Sequence, residues 1–360
     1  MQLTLFSYHL IVSKTEFRYK IVIRLKFITK GAFVMKGYGM IRVGEVGWLE
    51  HEKPVAGPLD AILRPLYVAP CSSDTHMAHG GSGPVEDRIL GHEAIGEVVE
   101  VGSLVKNFKP GDVVVVPCTT PDWTKEGLQY KGGNNAHDEG TIASFKFLTV
   151  KDGVFAEFFH VNNADSNLVL LPKGVDPEAA LMCTDMMSTG FYGAEMANIS
   201  LGDTVVVFGI GPVGLMAVAG ARLLGAGKII AIGTRPNCVE LAKEYGATDI
   251  VSYKEGDVCE QILAINGGQV DSCIIAGGTT SSLNQALTVT RSNGTVSNIN
   301  FFDGTEMFEV PAPLVLMGMS DVTIQTAPRS MILCSPSTGT GTATREKKLS
   351  RFPAMAVFRS

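Results

Sequence analysis

The stretch ILGHEAIGEVVEVGSLV, residues 89–105, sets His92 and Glu93 side by side at the head of an otherwise apolar, strand-like run. Both side-chain types bind metal ions. A second stretch able to support chemistry is VVVFGIGPVGLMAV, where Gly209, Gly211 and Gly214 form G-x-G-x-x-G between a strand-like run and a helical pattern. The first glycine allows a tight turn, the second lets a pyrophosphate approach the backbone, and the third permits close helix–strand packing. Pro212 and Val213 complete the turn, and the helix they open points its unpaired N–H groups at the phosphates.

The run after that helix selects the dinucleotide. A site for NAD generally ends its second strand in Asp or Glu, which binds the ribose 2′-hydroxyl. Here KIIAI is followed by Gly233, Thr234 and Arg235. Without a carboxylate a 2′-phosphate meets no repulsion, Thr234 can donate to it, and Arg235 offers a planar cation. NADP(H) is therefore the expected cofactor, the alternative being that Arg235 is an ordinary solvated residue ahead of a helix. Tyr253, in SYK after the third strand, is placed either beside the adenosine phosphate or in an ordinary packed or exposed position.

These residues need a scaffold, and the sequence indicates two. Residues 35–185 carry short valine-rich runs broken by glycine and proline, such as AILRPLYVAP, GEVVEVG and KPGDVVVVP, which predict a compact β-rich unit. From Gly202 strands and helices alternate. TVVVF (204–208), KIIAI (228–232), DIV (249–251), VDSCII (270–275), GTVSNI (294–299) and VTIQT (322–326) read as strands. Helices are expected over 213–224, from Pro236 to Gly246, and over 257–265 and 282–289. Repeated βα units imply a parallel sheet with helices on both faces. The expected fold class is thus α/β, with the nucleotide unit spanning 186–326.

At this point the chain resembles a family. G-H-E-x2-G-x5-G-x2-V, from Gly91 to Val105, has the form of the signature of the zinc-dependent medium-chain alcohol dehydrogenases. APCSSDTH (69–76) and TDMMSTGFYGAE (184–195) resemble the family's first and third ligand segments, in the same order as GIGPVG. The NADP-dependent secondary alcohol dehydrogenases are the branch it most resembles, and the likeness covers roughly residues 35–326. The resemblance implies a GroES-like catalytic domain joined to a Rossmann-type domain. It implies one catalytic zinc held by Cys71, His92 and Asp185, with Glu93 as a neighbouring or transient ligand. Thiolate, imidazole and carboxylate all suit zinc, and three of them leave a fourth position for substrate. Cys183, two residues before Asp185, is the rival third ligand. Small secondary alcohols and ketones are the implied substrates, and a homotetramer the implied assembly.

In the implied chemistry zinc polarises the substrate oxygen, hydride moves to or from the nicotinamide, and Ser73 and His76 relay the proton. A turn or helix cap competes for Ser73, and a plain surface role for His76. Trp123, in TPDW, matches a family position near the substrate pocket, against which stands simple packing. Many relatives carry a second, structural zinc on four closely spaced cysteines; residues 100–150 hold only Cys118, so no such site is expected. Two other readings of the whole chain are a truncated nucleotide-binding relic and a metal-free NADPH quinone reductase on the same scaffold.

Composition narrows the field further. Apolar residues at 45% and charged residues at 18% describe a globular chain. Residues 1–34 and 327–360 each carry a net +5, which leaves −16 on the body between them. So acidic a body excludes a polyphosphate partner such as nucleic acid, and no apolar run reaches the length of a membrane span. The seven cysteines include no C-x-x-C pair, which suits a reducing compartment and a cytoplasmic location. Residues 1–34 form an atypical basic extension, read either as a weak organelle-targeting segment or as foreign to the functional chain. The tail 327–360 departs from the family's pattern, in which the chain returns to the catalytic domain.

Overall fold

The computed structural model describes residues 34–81, 85–124, 146–302 and 323–326. Of the basic extension only Val34 is among them, and the tail 327–360 lies outside the described residues. The chain separates into two compact units, the first running to Thr184 and the second starting at Asp185.

The first unit opens with β1 (Val34–Arg42), β2 (Glu45–Glu52) and β3 (Ala61–Ala69), followed by α1 (Ser72–Ala78). Next come β4 (Arg88–Ile89), β5 (Glu93–Val101), β6 (Val113–Val116) and β7 (Phe159–Val161). The unit closes with α2 (Ala164–Asn167), β8 (Val169–Leu170) and α3 (Pro177–Leu181). Two antiparallel sheets result, ordered β2-β1-β4 and β7-β3-β5-β6-β8. Pro65 lies inside β3, where its missing N–H would break a ladder; the register shifts between Pro65 and Tyr67, a bulge that accommodates it. Alternate apolar residues of β3, β5 and β6 meet Phe147 and Phe159, whose rings contact edge to face at 6.2 Å.

The second unit carries α4 (Met186–Met196), β9 (Thr204–Phe208), α5 (Pro212–Leu224), β10 (Lys228–Ile232) and α6 (Pro236–Tyr245). It continues through β11 (Asp249–Val251), α7 (Val258–Asn266), β12 (Val270–Ile275), α8 (Ser281–Val289), β13 (Thr290–Asn298) and β14 (Thr323–Thr326). The sheet order is β11-β10-β9-β12-β13-β14 with every pair parallel, the 3-2-1-4-5-6 arrangement of dinucleotide-binding folds. Both faces are covered. Val205, Val207, Ile229 and Ala231 enter one apolar cluster, while Val206, Phe208, Ile230 and Ile232 enter the other. That explains why these strands read as unbroken apolar runs.

β13 begins at Thr290, four residues before the expected start at Gly294. Arg-Ser-Asn-Gly has the composition of a turn, and Asn293 does take a left-handed conformation with φ of 61°. The segment nevertheless pairs with β12 across a register shift between Val270 and Ser272, so turn-like residues sit in an irregular strand.

A polar network stiffens the first unit behind β7. Lys151 Nζ donates to Thr120 Oγ1 and Asn162 Oδ1, both at 3.0 Å, and lies 4.3 Å from the centre of the Phe147 ring. Asn162 Nδ2 donates to the carbonyls of Thr120 and Pro121. Burial, reinforced by the charge of Lys146 and opposed by Asp60, lowers the Lys151 ammonium to about 7. A lysine with a depressed folded pKa binds fewer protons folded than unfolded, so its contribution makes stability rise with pH between about 7 and the ordinary value of 10.5. Denaturant midpoints of wild type and Lys151→Met at pH 7 and pH 9 are expected to show wild type gaining on the variant at the higher pH. A pH-independent difference would show that the ammonium stays charged in the fold.

Candidate functional site

Four residues able to bind a metal come from three places in the chain, and one carboxylate arranges the first two of those places. β3 ends at Ala69, and Cys71 becomes the N-cap of α1 in extended backbone. Asp74, three residues on and buried, accepts the Cys71 N–H at 2.8 Å through Oδ2, one half of a reciprocal cap. Its other oxygen, Oδ1, accepts from the Gly91 N–H at 3.1 Å and from His92 Nδ1 at 3.2 Å. A carboxylate can only accept there, so Nδ1 carries the proton and the ring presents the Nε2 lone pair. Ser73 Oγ stands 3.3 Å from that nitrogen.

Glu93 follows His92 as the first residue of β5, and both are fully buried. The fourth residue, Asp185, begins the second unit but is joined by one peptide bond to Thr184, which is fixed in the first. The Thr184 carbonyl accepts from Cys118 N at 3.0 Å, and its hydroxyl donates to Leu181 O at 2.7 Å and to Glu93 Oε2 at 3.4 Å. The donor atoms of Cys71, His92, Glu93 and Asp185 all lie within 4.8 Å of one another.

That set fits a zinc ion. Ligands of one tetrahedral zinc, at bonds of about 2.0–2.3 Å, stand roughly 3.3–3.8 Å apart, and sulfur, imidazole nitrogen and carboxylate oxygen are its usual donors. A thiol and two carboxylates brought together out of water also call for a cation on electrostatic grounds. Cys183 is not among the converging donors, and burial pushes its thiol above the usual range.

The nucleotide turn lies wholly within the second unit. Gly209 takes φ of 83°, a conformation that favours glycine, and a side chain there would press on the Gly277 backbone. A Cβ on Gly214 would run into the Gly209 carbonyl, so α5 packs against β9 only because that residue is glycine. Gly211 is the N-cap of α5 and Pro212 its first residue, where a missing N–H costs nothing. At the end of β10 Gly233 is buried, while Thr234 and the exposed Arg235 follow without a carboxylate. A guanidinium nitrogen of Arg235 lies 3.6 Å from where a Gly211 Cβ would be, so the cation overhangs the glycine turn. Thr234 Oγ1 donates to the Tyr253 hydroxyl at 2.8 Å, and Tyr253 is 58% exposed rather than packed in the core.

His76 lies one turn beyond Ser73 on α1 and is half-buried. Trp123 is tethered: its Nε1 donates at 2.8 Å to Asn167 Oδ1, and the buried Asn167 donates in turn to the carbonyls of Pro121 and Asn162. Sequence reasoning passed over two residues of the site. Asp74 had a signal, a carboxylate three residues after a candidate N-cap. Thr189 had none, because its contact with Asp185 depends on which way the aspartate turns.

Comparison with known proteins agrees with this geometry. Residues 57–173 match the alcohol dehydrogenase GroES-like domain, and residues 212–332 match the zinc-binding dehydrogenase domain. The chain is 56% identical over 293 residues to the NADP-dependent isopropanol dehydrogenase of Thermoanaerobacter brockii, covering 81% of this chain and 83% of that protein. It is 52% identical to the enzyme of the same name from Entamoeba histolytica, over 78% of this chain and 77% of that one. Among solved structures, zinc-dependent alcohol dehydrogenase 2 from Streptococcus pneumoniae superposes with a TM-score of 0.74 at 28% identity, covering 88% and 87% of the two chains. The chain belongs to the zinc-dependent medium-chain alcohol dehydrogenase family.

Asp74→Asn keeps the shape but replaces one of the two accepting oxygens by a donor, so the Cys71 or the His92 contact is lost. Zinc affinity measured by chelator competition is expected to fall about 10- to 100-fold, the usual cost of losing a ligand's hydrogen-bond partner.

Proposed function

We propose that the protein oxidises small secondary alcohols to ketones with NADP⁺, and reduces such ketones with NADPH, using one zinc ion and no structural zinc. The convergence of Cys71, His92 and Asp185, with Glu93 beside them, is the observation that carries this reading. It disfavours both a metal-free quinone reductase and a relic whose site has decayed. The isopropanol dehydrogenases named above support the substrate class and the cofactor. The single zinc rests on the lone Cys118 in residues 100–150.

Cys71, His92 and Asp185 would hold the zinc, and Glu93 would act as neighbouring ligand. Bound there, zinc supplies Lewis-acid polarisation of a substrate oxygen and NADP⁺ supplies the hydride acceptor. Asp74 keeps the proton on His92 Nδ1 and so keeps Nε2 available. The Ser73 hydroxyl, 3.3 Å from Nε2, is placed to take a proton from a substrate oxygen at that centre, and His76, one turn on, would pass it outward. Gly209, Gly211, Pro212, Val213 and Gly214 would cradle the pyrophosphate. Gly233, Thr234, Arg235 and Tyr253 would receive the 2′-phosphate: a cation, two hydroxyls and no carboxylate within one turn suit that dianion.

The proposal includes the homotetramer and the cytoplasmic location expected from the sequence. The absence of any C-x-x-C pair among the seven cysteines supports a reducing compartment. Among the described residues no helix is long and apolar enough to cross a membrane.

Purified protein supplied with zinc is expected to retain one equivalent, to turn over 2-propanol with NADP⁺, and to lose turnover on chelation. Zinc-loaded protein that oxidises no secondary alcohol would overturn the proposal. Arg235→Ala removes a charge-assisted bond of about 1.5–3 kcal/mol, so the preference in kcat/KM for NADP⁺ over NAD⁺ should shrink about 10- to 100-fold.

A further inference from the structure

Asp185 occupies the N-cap of α4, and a cap aspartate ordinarily turns its carboxylate onto the N–H groups of its own first helical turn. Here no such bond forms, and the backbone takes φ −148° and ψ −68°. The carboxylate instead receives the hydroxyl of Thr189, four residues on, at 2.6 Å through Oδ1. Threonine inside a helix usually bonds back to the carbonyl four residues before it. At this carbonyl, Asp185 O, the side-chain bond is made by Ser188 Oγ at 2.9 Å, while the Thr189 N–H takes the helical bond at 2.8 Å. The Thr189 hydroxyl is thereby left for the side chain. Asp185 and Thr189 are both buried, 7% exposed each, so water competes little for the contact. The β-branched side chain is stiff about χ1, which gives the contact a fixed direction.

We infer that Thr189 is a positioning residue for Asp185: its hydroxyl holds one carboxylate oxygen, turns the group away from the helix end, and presents it to the metal as a one-oxygen ligand. The inference rests on the reading of Asp185 as a zinc ligand. Without the hydroxyl, the carboxylate has two competing choices, gripping the ion with both oxygens or folding back to cap α4. Each loosens or reshapes the site. Ser188 and Thr189 thus divide the work, one bonding the Asp185 backbone and the other its side chain.

The test compares wild type, T189V and T189S as full-length chains. Valine keeps the branched shape and removes the hydroxyl, whereas serine keeps the hydroxyl. Zinc release into excess chromophoric chelator is expected to be about 10- to 100-fold faster from T189V and near wild type from T189S. The melting temperature of metal-free T189V should fall below that of metal-free wild type through loss of the buried bond, and the deficit should be larger in the zinc-loaded forms. The visible bands of the cobalt-substituted protein should shift in T189V and return in T189S. Equal zinc release from wild type and T189V overturns the inference, as does an equal loss of melting temperature with and without metal, which marks a packing role. If T189V fails to fold, T189A carries the same comparison. Wild type that binds no zinc when supplied with it overturns the metal reading itself, and the two failures are therefore distinguishable.

Discussion

The buried carboxylate of Asp74 is the contact on which the candidate metal site depends. It joins the start of α1 to the turn before β5, gathering N–H groups of Cys71, Gly91 and His92 from segments about twenty residues apart in sequence. Each of those donors would otherwise lose its water on burial and gain nothing in return. One acceptor satisfies all three, and in doing so sets the His92 tautomer and the spacing between sulfur and imidazole. The placing of Cys71 and His92 is therefore a consequence of hydrogen-bond satisfaction in the β-rich unit.

Asp185, the third proposed ligand, is placed by other contacts. Thr184 is held from both sides, by the Cys118 amide at its carbonyl and by Leu181 and Glu93 at its hydroxyl. Asp185 has little freedom once its predecessor is fixed. It is the N-cap of α4, and its side chain bonds Thr189 instead of capping that helix. A helix that forgoes its cap sacrifices some local stability. That carboxylate is the one needed elsewhere.

The nucleotide turn obeys a different constraint. Its shape comes from the backbone. Gly209 is there for its backbone angle and Gly214 for the absence of a Cβ, so the peptide chain itself forms the cradle. At the end of β10 Arg235 overhangs the glycines and Thr234 is tied to Tyr253.

Most of the second unit was legible in the sequence because local rules govern it. A strand buried on both faces reads as an apolar run, a helix ends at glycine, and a phosphate turn needs glycines at fixed spacing. β9, β10, β11 and β12 accordingly fall where the residues predict. β13 was misread at its start because pairing with β12 overrode turn-forming residues. In the metal site, residue types and family-like segments nominated Cys71, His92, Glu93 and Asp185. Their approach to within 4.8 Å is a property of the folded chain alone, since it brings together segments about a hundred residues apart. Asp74 and Thr189 could be recognised only there too. A hydrogen bond requires direction as well as proximity, and direction is decided by the burial and backbone geometry that tertiary structure imposes.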